Sequence, residues 1–164
     1  MPLARSLHLP NHLRGLIIYA AGDTAAALLL HQFAWSRLAG MALVGGTLYA
    51  LEVPAYFRWI DRRVPPAPHP RRRLARAALS LLYFNPLWIA RHLLFIKLFS
   101  GLLPEVSWAL LPVASRSFLL NIPISFVANY LIQNYVPARW RFVASALFSG
   151  LMAVYYALSA VWLK

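Results

Sequence analysis

The sequence predicts an all-α fold, a polytopic transmembrane helix bundle in a single integral membrane domain covering residues 1–164. Three observations lead there. Of 164 residues 61% are hydrophobic and only 12% charged, with a mean hydropathy of +0.60. Soluble domains commit about a quarter of their residues to Asp, Glu, Lys and Arg, so this chain lacks the charge to cover a water-facing surface. Its apolar residues fall into five long stretches, and its basic residues gather in the breaks between them. The net charge of +12 therefore follows membrane topology. A nucleic-acid binder would spread Lys and Arg along one hydrated face, so no nucleic-acid partner is expected. There is no cysteine, which excludes disulfides and thiolate metal sites.

A helix needs about 20 mostly apolar residues to cross the hydrocarbon. The stretches that qualify run over about 16–34, 38–57, 77–102, 118–136 and 142–163. Between the second and third lies a basic, proline-rich loop, 58–76. Its run Pro65-Pro66-Ala67-Pro68-His69-Pro70 reads as extended linker, because proline has no amide hydrogen to give a helix. Residues 104–116, with Pro104, Glu105 and Pro112, read as a short interfacial helix. Pro137 ends the fourth stretch, followed by Arg139, Trp140 and Arg141. Trp35, Tyr56, Phe57, Trp59, Trp108, Trp140 and Trp162 fall where interfaces are needed. With five spans, 11 basic residues lie on one side, among them Arg5 and Arg14, and three on the other, Arg37, Arg116 and Lys164. The positive-inside rule then places the N-terminus inside. The first fourteen residues carry no apolar run and no small-residue cleavage site, so no secretory signal is expected, while their lack of acids leaves a mitochondrial transit role open.

Ionisable groups at membrane depth cost several kcal/mol unless paired or hydrated, and are candidate sites for that reason. Asp23 falls within the first span, Glu52 in the second, and Arg91 and Lys97 in the third. A rise of about 1.5 Å per residue brings Asp23, Glu52 and, in the fourth span, Asn129 to comparable depths. Asp23, Glu52, Arg91 and Asn129 are thus candidates for a polar layer, with Arg91 the deeper basic partner for the acids. Such a layer would either line a watery path or act as internal glue. Small residues four apart, Gly22 with Ala26 and Ala42 with Gly46 and Ala50, would let helix backbones approach closely. Pro54, Pro86 and Pro123 would bend their spans. Arg71, Arg72, Arg73 and Arg76 suit attraction to anionic headgroups.

Soluble-enzyme chemistry finds no foothold. The chain has no Gly-x-Ser-x-Gly elbow, no phosphate-cradling glycine loop and no helical His pair for zinc. His31 and His92 read as packing or interfacial residues. No catalytic residue, metal or cofactor is expected.

One arrangement of residues resembles a known family. Arg37, Gly45, Tyr56-Phe57, Asp61-Arg62 and Pro65 are similar, in order and spacing, to a motif of the family of Mpv-seventeen and the peroxisomal membrane protein of about 22 kDa. Gly22-Asp23 upstream, and Pro86, Pro123, Asn129-Tyr130, Val136-Pro137 and Arg141 downstream, resemble its other landmarks in the same order. The chain departs from the family at Ala27, Ser80-Leu81, Ile122 and Phe126, and the interval from Asn129-Tyr130 to Val136-Pro137 is three residues longer than the family's. The resemblance implies a bacterial inner-membrane protein, or one of a mitochondrial inner or peroxisomal membrane, that passes small solutes without catalysis. Expected partners are membrane lipids, anionic headgroups on the inner side and a second copy of the chain. Two alternatives stay open: a non-catalytic scaffold or accessory subunit with structural ion pairs, and a membrane-embedded enzyme or lipid flippase.

Overall fold

The computed structural model describes residues 9–162, with side chains through residue 154; Arg5, Lys164 and the side chain of Trp162 lie outside the described residues. Among these the structure is all-α: α1 (Leu9–Leu29), α2 (Trp35–Val44), a π-helical turn (Gly45–Tyr49), α3 (Ala50–Arg63), α4 (Pro70–Tyr83), α5 (Pro86–Phe99), a 3-10 turn (Leu103–Glu105), α6 (Leu110–Tyr135) and α7 (Ala138–Trp162). Among the described residues three helical stretches, the second interrupted at Phe84–Asn85, are long and apolar enough to cross a membrane: Trp35–Arg63, Pro70–Phe99 and Leu110–Tyr135, with mean hydropathies of 1.4, 1.3 and 1.5. The helices form a bundle with the composition of an integral membrane protein.

Local chemistry explains the boundaries. Asn85 caps α5, its Oδ1 accepting from the amides of Leu87 at 2.9 Å and Trp88 at 3.1 Å, with Pro86 pre-set at the first helical position. Pro86 therefore divides the third apolar stretch into two helices rather than bending one. Pro70 starts α4 in the same way. The 58–76 loop shrinks accordingly to 64–69, its arginines lying on the last turn of α3 and the first turns of α4. Residues 104–116, expected as a separate interfacial helix, divide between the 3-10 turn and the first turns of α6.

Both α1 and α5 end in a Schellman motif. At α1 the amides of Gln32 and His31 return to the carbonyls of Ala27 and Leu28; at α5 those of Leu102 and Gly101 return to Lys97 and Leu98. The left-handed residue is Gly101 at φ 74° in one and His31 at φ 55° in the other.

The chain divides into two compact units, one holding the described residues up to Val53 and from Phe142 onward, the other Pro54–Arg141. In the first, α1 packs on α2 and the π-helical turn. A Cβ on Gly15 would collide with the Gly45 carbonyl oxygen, and one on Gly45 would lie 2.7 Å from Tyr19 Cβ. Only glycine lets these backbones meet. Gly22 meets Gly150 of α7 in the same manner, an added Cβ falling 2.7 Å from its Cα. The His12 ring donates from Nδ1 to the Gly46 carbonyl at 2.6 Å, and the Thr47 hydroxyl donates to Leu43 O at 2.6 Å. Those side-chain donors serve carbonyls around a turn whose register has left the i−4 ladder. In the second unit α6 is the central element, packed against α4 and α5.

Candidate functional site

Asp23 and Arg37 form the buried ion pair of the first unit. Arg37 Nε and Nη2 donate to the two carboxylate oxygens at 2.7 Å each, with side-chain exposures of 6% and 4% for Arg37 and Asp23. The two-pronged geometry matches a planar guanidinium to a carboxylate and satisfies the charge of each. It ties α1 to α2. The sequence pointed to Arg91 as the deep partner; the turn at 30–34 instead folds Arg37 back onto α1, so the partner is local. Glu52 is half-buried in the same unit and belongs to the stretch Trp35–Arg63.

Arg91 and Asn129, the other two residues expected in one layer, belong to the second unit. Two features of that unit were not foreseen as sites. The first is a charge cluster centred on Asp61. Arg76 Nη2 donates to Asp61 Oδ1 at 2.5 Å, and Arg141 Nη1 to Oδ1 and Oδ2 at 2.7 and 2.9 Å. Arg76 also donates to Val64 O at 2.7 Å and Gln133 O at 3.0 Å, and Arg141 Nε to Val136 O at 3.0 Å. Those carbonyls follow or end α3 and α6, where helix dipoles favour cations. Arg76 is thus fully buried and is no lipid-headgroup contact; one aspartate and two carbonyls have drawn it inward. Arg71 and Arg72 are exposed. Arg73 is half-buried, donating to Tyr135 Oη at 3.0 Å with its guanidinium 5.3 Å from that ring centre.

The second feature is a polar seam along α6. Ser117, Asn121, Ser125, Asn129 and Gln133 recur every four residues, and Asn121, Asn129 and Gln133 are buried. Against this row α4 presents Ser80, whose hydroxyl donates to Asn129 Oδ1 at 2.6 Å and accepts from Gln133 Nε2 at 3.3 Å. Asn121 and Asn129 donate to the carbonyls of Ser117 and Ser125. Gln133 Oε1 is buried with no hydrogen-bond partner. At one end the seam meets the arginine cluster through Gln133 O. The other side of α6 is apolar and exposed, with Leu120, Ile124, Val127 and Leu131 outward. Beside Pro123 that side carries a shallow groove lined by Ile124, Val127, Ala128 and Leu131.

Several residues carrying the family resemblance gather in two places. Gly22, Arg37 and Gly45 surround the Asp23 pair and the close helix contact of the first unit. Asp61, Val136 and Arg141 build the second unit's cluster; Pro137 turns the chain there, its carbonyl accepting from the Trp140 amide at 2.8 Å. Nearby, Tyr56 donates to Leu79 O at 2.9 Å, Phe57 is buried, and Tyr130 lies 6.1 Å from the Tyr135 ring. Arg62 and Pro65 are exposed. No protein-family model, curated protein or solved structure matches this chain.

The i+4 recurrence along 117–133 was the available signal for the seam. Serine, asparagine and glutamine carry no charge, so ionisable groups do not mark the row; only Asn129 stood out, by its depth. Arg37, Asp61, Arg76 and Arg141 were visible, but basic residues at span ends are explained by topology, and only folding shows which are drawn inward. Lys97 pairs with Glu105 at 2.7 Å, spanning the Gly101 turn. His31 is exposed at the α1 terminus, and His92 stacks on Trp88 with ring centres 5.4 Å apart.

Proposed function

We propose that this protein passes small polar solutes across a membrane along the polar seam of its second unit. The carrying observation is the row Ser117–Asn121–Ser125–Asn129–Gln133, with Ser80 against it, inside a helix long enough to cross the hydrocarbon. Lipid-spanning helices hide polar groups in pairs; a continuous file through most of a span, with an acceptor left over at Gln133, suits a hydrated path. The family resemblance points the same way. Asp23 drops out of the lining, because its carboxylate is closed by Arg37. The path takes five spans, an inside N-terminus and a second copy of the chain as its setting.

Purified protein in planar bilayers should conduct, and Asn129→Leu and Gln133→Leu should lower the conductance. Silence at every voltage and pH removes this reading. The second reading is a membrane scaffold or accessory subunit, favoured by the two closed ion-pair sites. It predicts that the same substitutions change stability and leave flux at the level of empty bilayers.

A further inference from the structure

Resting on the seam as the conducting path, we infer that it selects small anions over cations. The second unit carries twelve lysines and arginines against two acids, Asp61 and Glu105. Both acids are already ion-paired within the protein. Asp61 is held by Arg76 and Arg141 together, and Glu105 is paired with Lys97. Backbone carbonyls are the other protein groups that strip water from a cation. At the arginine end of the seam those of Val64, Gln133 and Val136 already accept from guanidinium groups.

The groups that remain favour negative charge. Two arginines share one carboxylate, leaving a net positive charge in a buried cluster. Arg71 and Arg72, exposed on the first turn of α4, and Arg73 beside Tyr135 extend it outward. Along the seam the lining groups are uncharged hydroxyls and amides whose donors bond within the protein, so the sign of the field is set by the arginines. Arg91 lies on α5, the second helix packed on α6. Rings of Arg and Lys at a pore mouth concentrate anions and repel cations, and low-dielectric walls strengthen that field.

The test uses the full chain in planar bilayers with unequal KCl on the two sides. The reversal potential should lie on the chloride side of zero. Arg72→Gln removes an exposed charge without touching the Asp61 cluster, and at low salt should lower the chloride-to-potassium permeability ratio by roughly fivefold, from about 1 kcal/mol per basic residue at a membrane surface. Raising the salt to about 1 M, where the Debye length falls to about 3 Å, should shrink that difference. A conducting protein that prefers potassium or does not discriminate overturns anion selection while leaving the path standing. An unaltered ratio in Arg72→Gln, with wild type selective, overturns the arginine end as its origin. Silent bilayers overturn the path itself.

Discussion

Asp23 and Arg37 have surrendered nearly all their water to each other, and that makes the pair fragile to single changes. Asp23→Asn or Arg37→Gln leaves one buried charge without its partner, and should cost about 3–5 kcal/mol. Replacing both by apolar residues of similar volume should recover most of the loss, because the desolvation penalty disappears with the charges. Thermal unfolding in detergent, with the double substitution as control, reads both outcomes. His31 offers the opposite sign. It sits in the left-handed region at the end of α1, where a side chain costs about 1–2 kcal/mol. His31→Gly should therefore raise the melting temperature, and Gly101→Ala at the equivalent position of α5 should lower it. Failure of both to move it would mean these termini do not limit stability.

Helix contacts in this protein depend on the absence of side chains more than on their presence. Lipid gives helices no hydrophobic reason to associate, so close van der Waals approach and hydrogen bonds must hold them. Gly15 against Gly45 is the tightest such approach. Gly45→Val would press two methyl groups into the α1 backbone, and should cost at least the roughly 1–3 kcal/mol typical of overpacking, seen as faster proteolysis of the first unit. The small-residue spacing in the sequence marked Gly22 and Gly46 as packing positions, and both do pack. Their partners were not legible. Gly22 was set beside Ala26 on its own helix and meets Gly150, far along the chain, because an i+4 pattern identifies a smooth face without saying what lies on it. The seam element carries its own prediction. Gln133→Leu and Asn129→Leu each remove a bond to Ser80, worth about 0.6–1.7 kcal/mol between membrane helices. A loss far above that range would make the seam chiefly structural.

On the scale of the whole molecule, three described helical stretches are long and apolar enough to cross a bilayer, and if they cross in turn they alternate direction. Their connections should then appear on alternate sides. The absence of native cysteine makes this directly measurable. Arg72→Cys and Arg139→Cys should be labelled by a membrane-impermeant thiol reagent from one face, and Trp108→Cys from the other. Labelling of all three from one side would contradict a spanning Leu110–Tyr135 helix.

Composition and hydropathy alone pointed to the class of this protein, an all-α bundle, because so apolar a chain has too little charge to cover a water-facing surface. They also located three long apolar stretches, although helices begin up to eight residues earlier than expected, at 110 against 118, and the basic loop shortens from 58–76 to 64–69. Proline chemistry was legible but underread: Pro70 and Pro86 start helices, a role that depends on the caps at His69 and Asn85. What only the tertiary structure decided is which polar residues face which. The sequence grouped Asp23, Glu52, Arg91 and Asn129 by depth. Folding paired Asp23 with Arg37, drew Arg76 and Arg141 onto Asp61, and set Asn129 against Ser80. Depth along a helix follows from the rise per residue, whereas the direction a side chain faces follows from helix rotation, which packing at contacts such as Gly15–Gly45 sets. That distinction moved the candidate path from a layer of charges to a file of uncharged amides and hydroxyls.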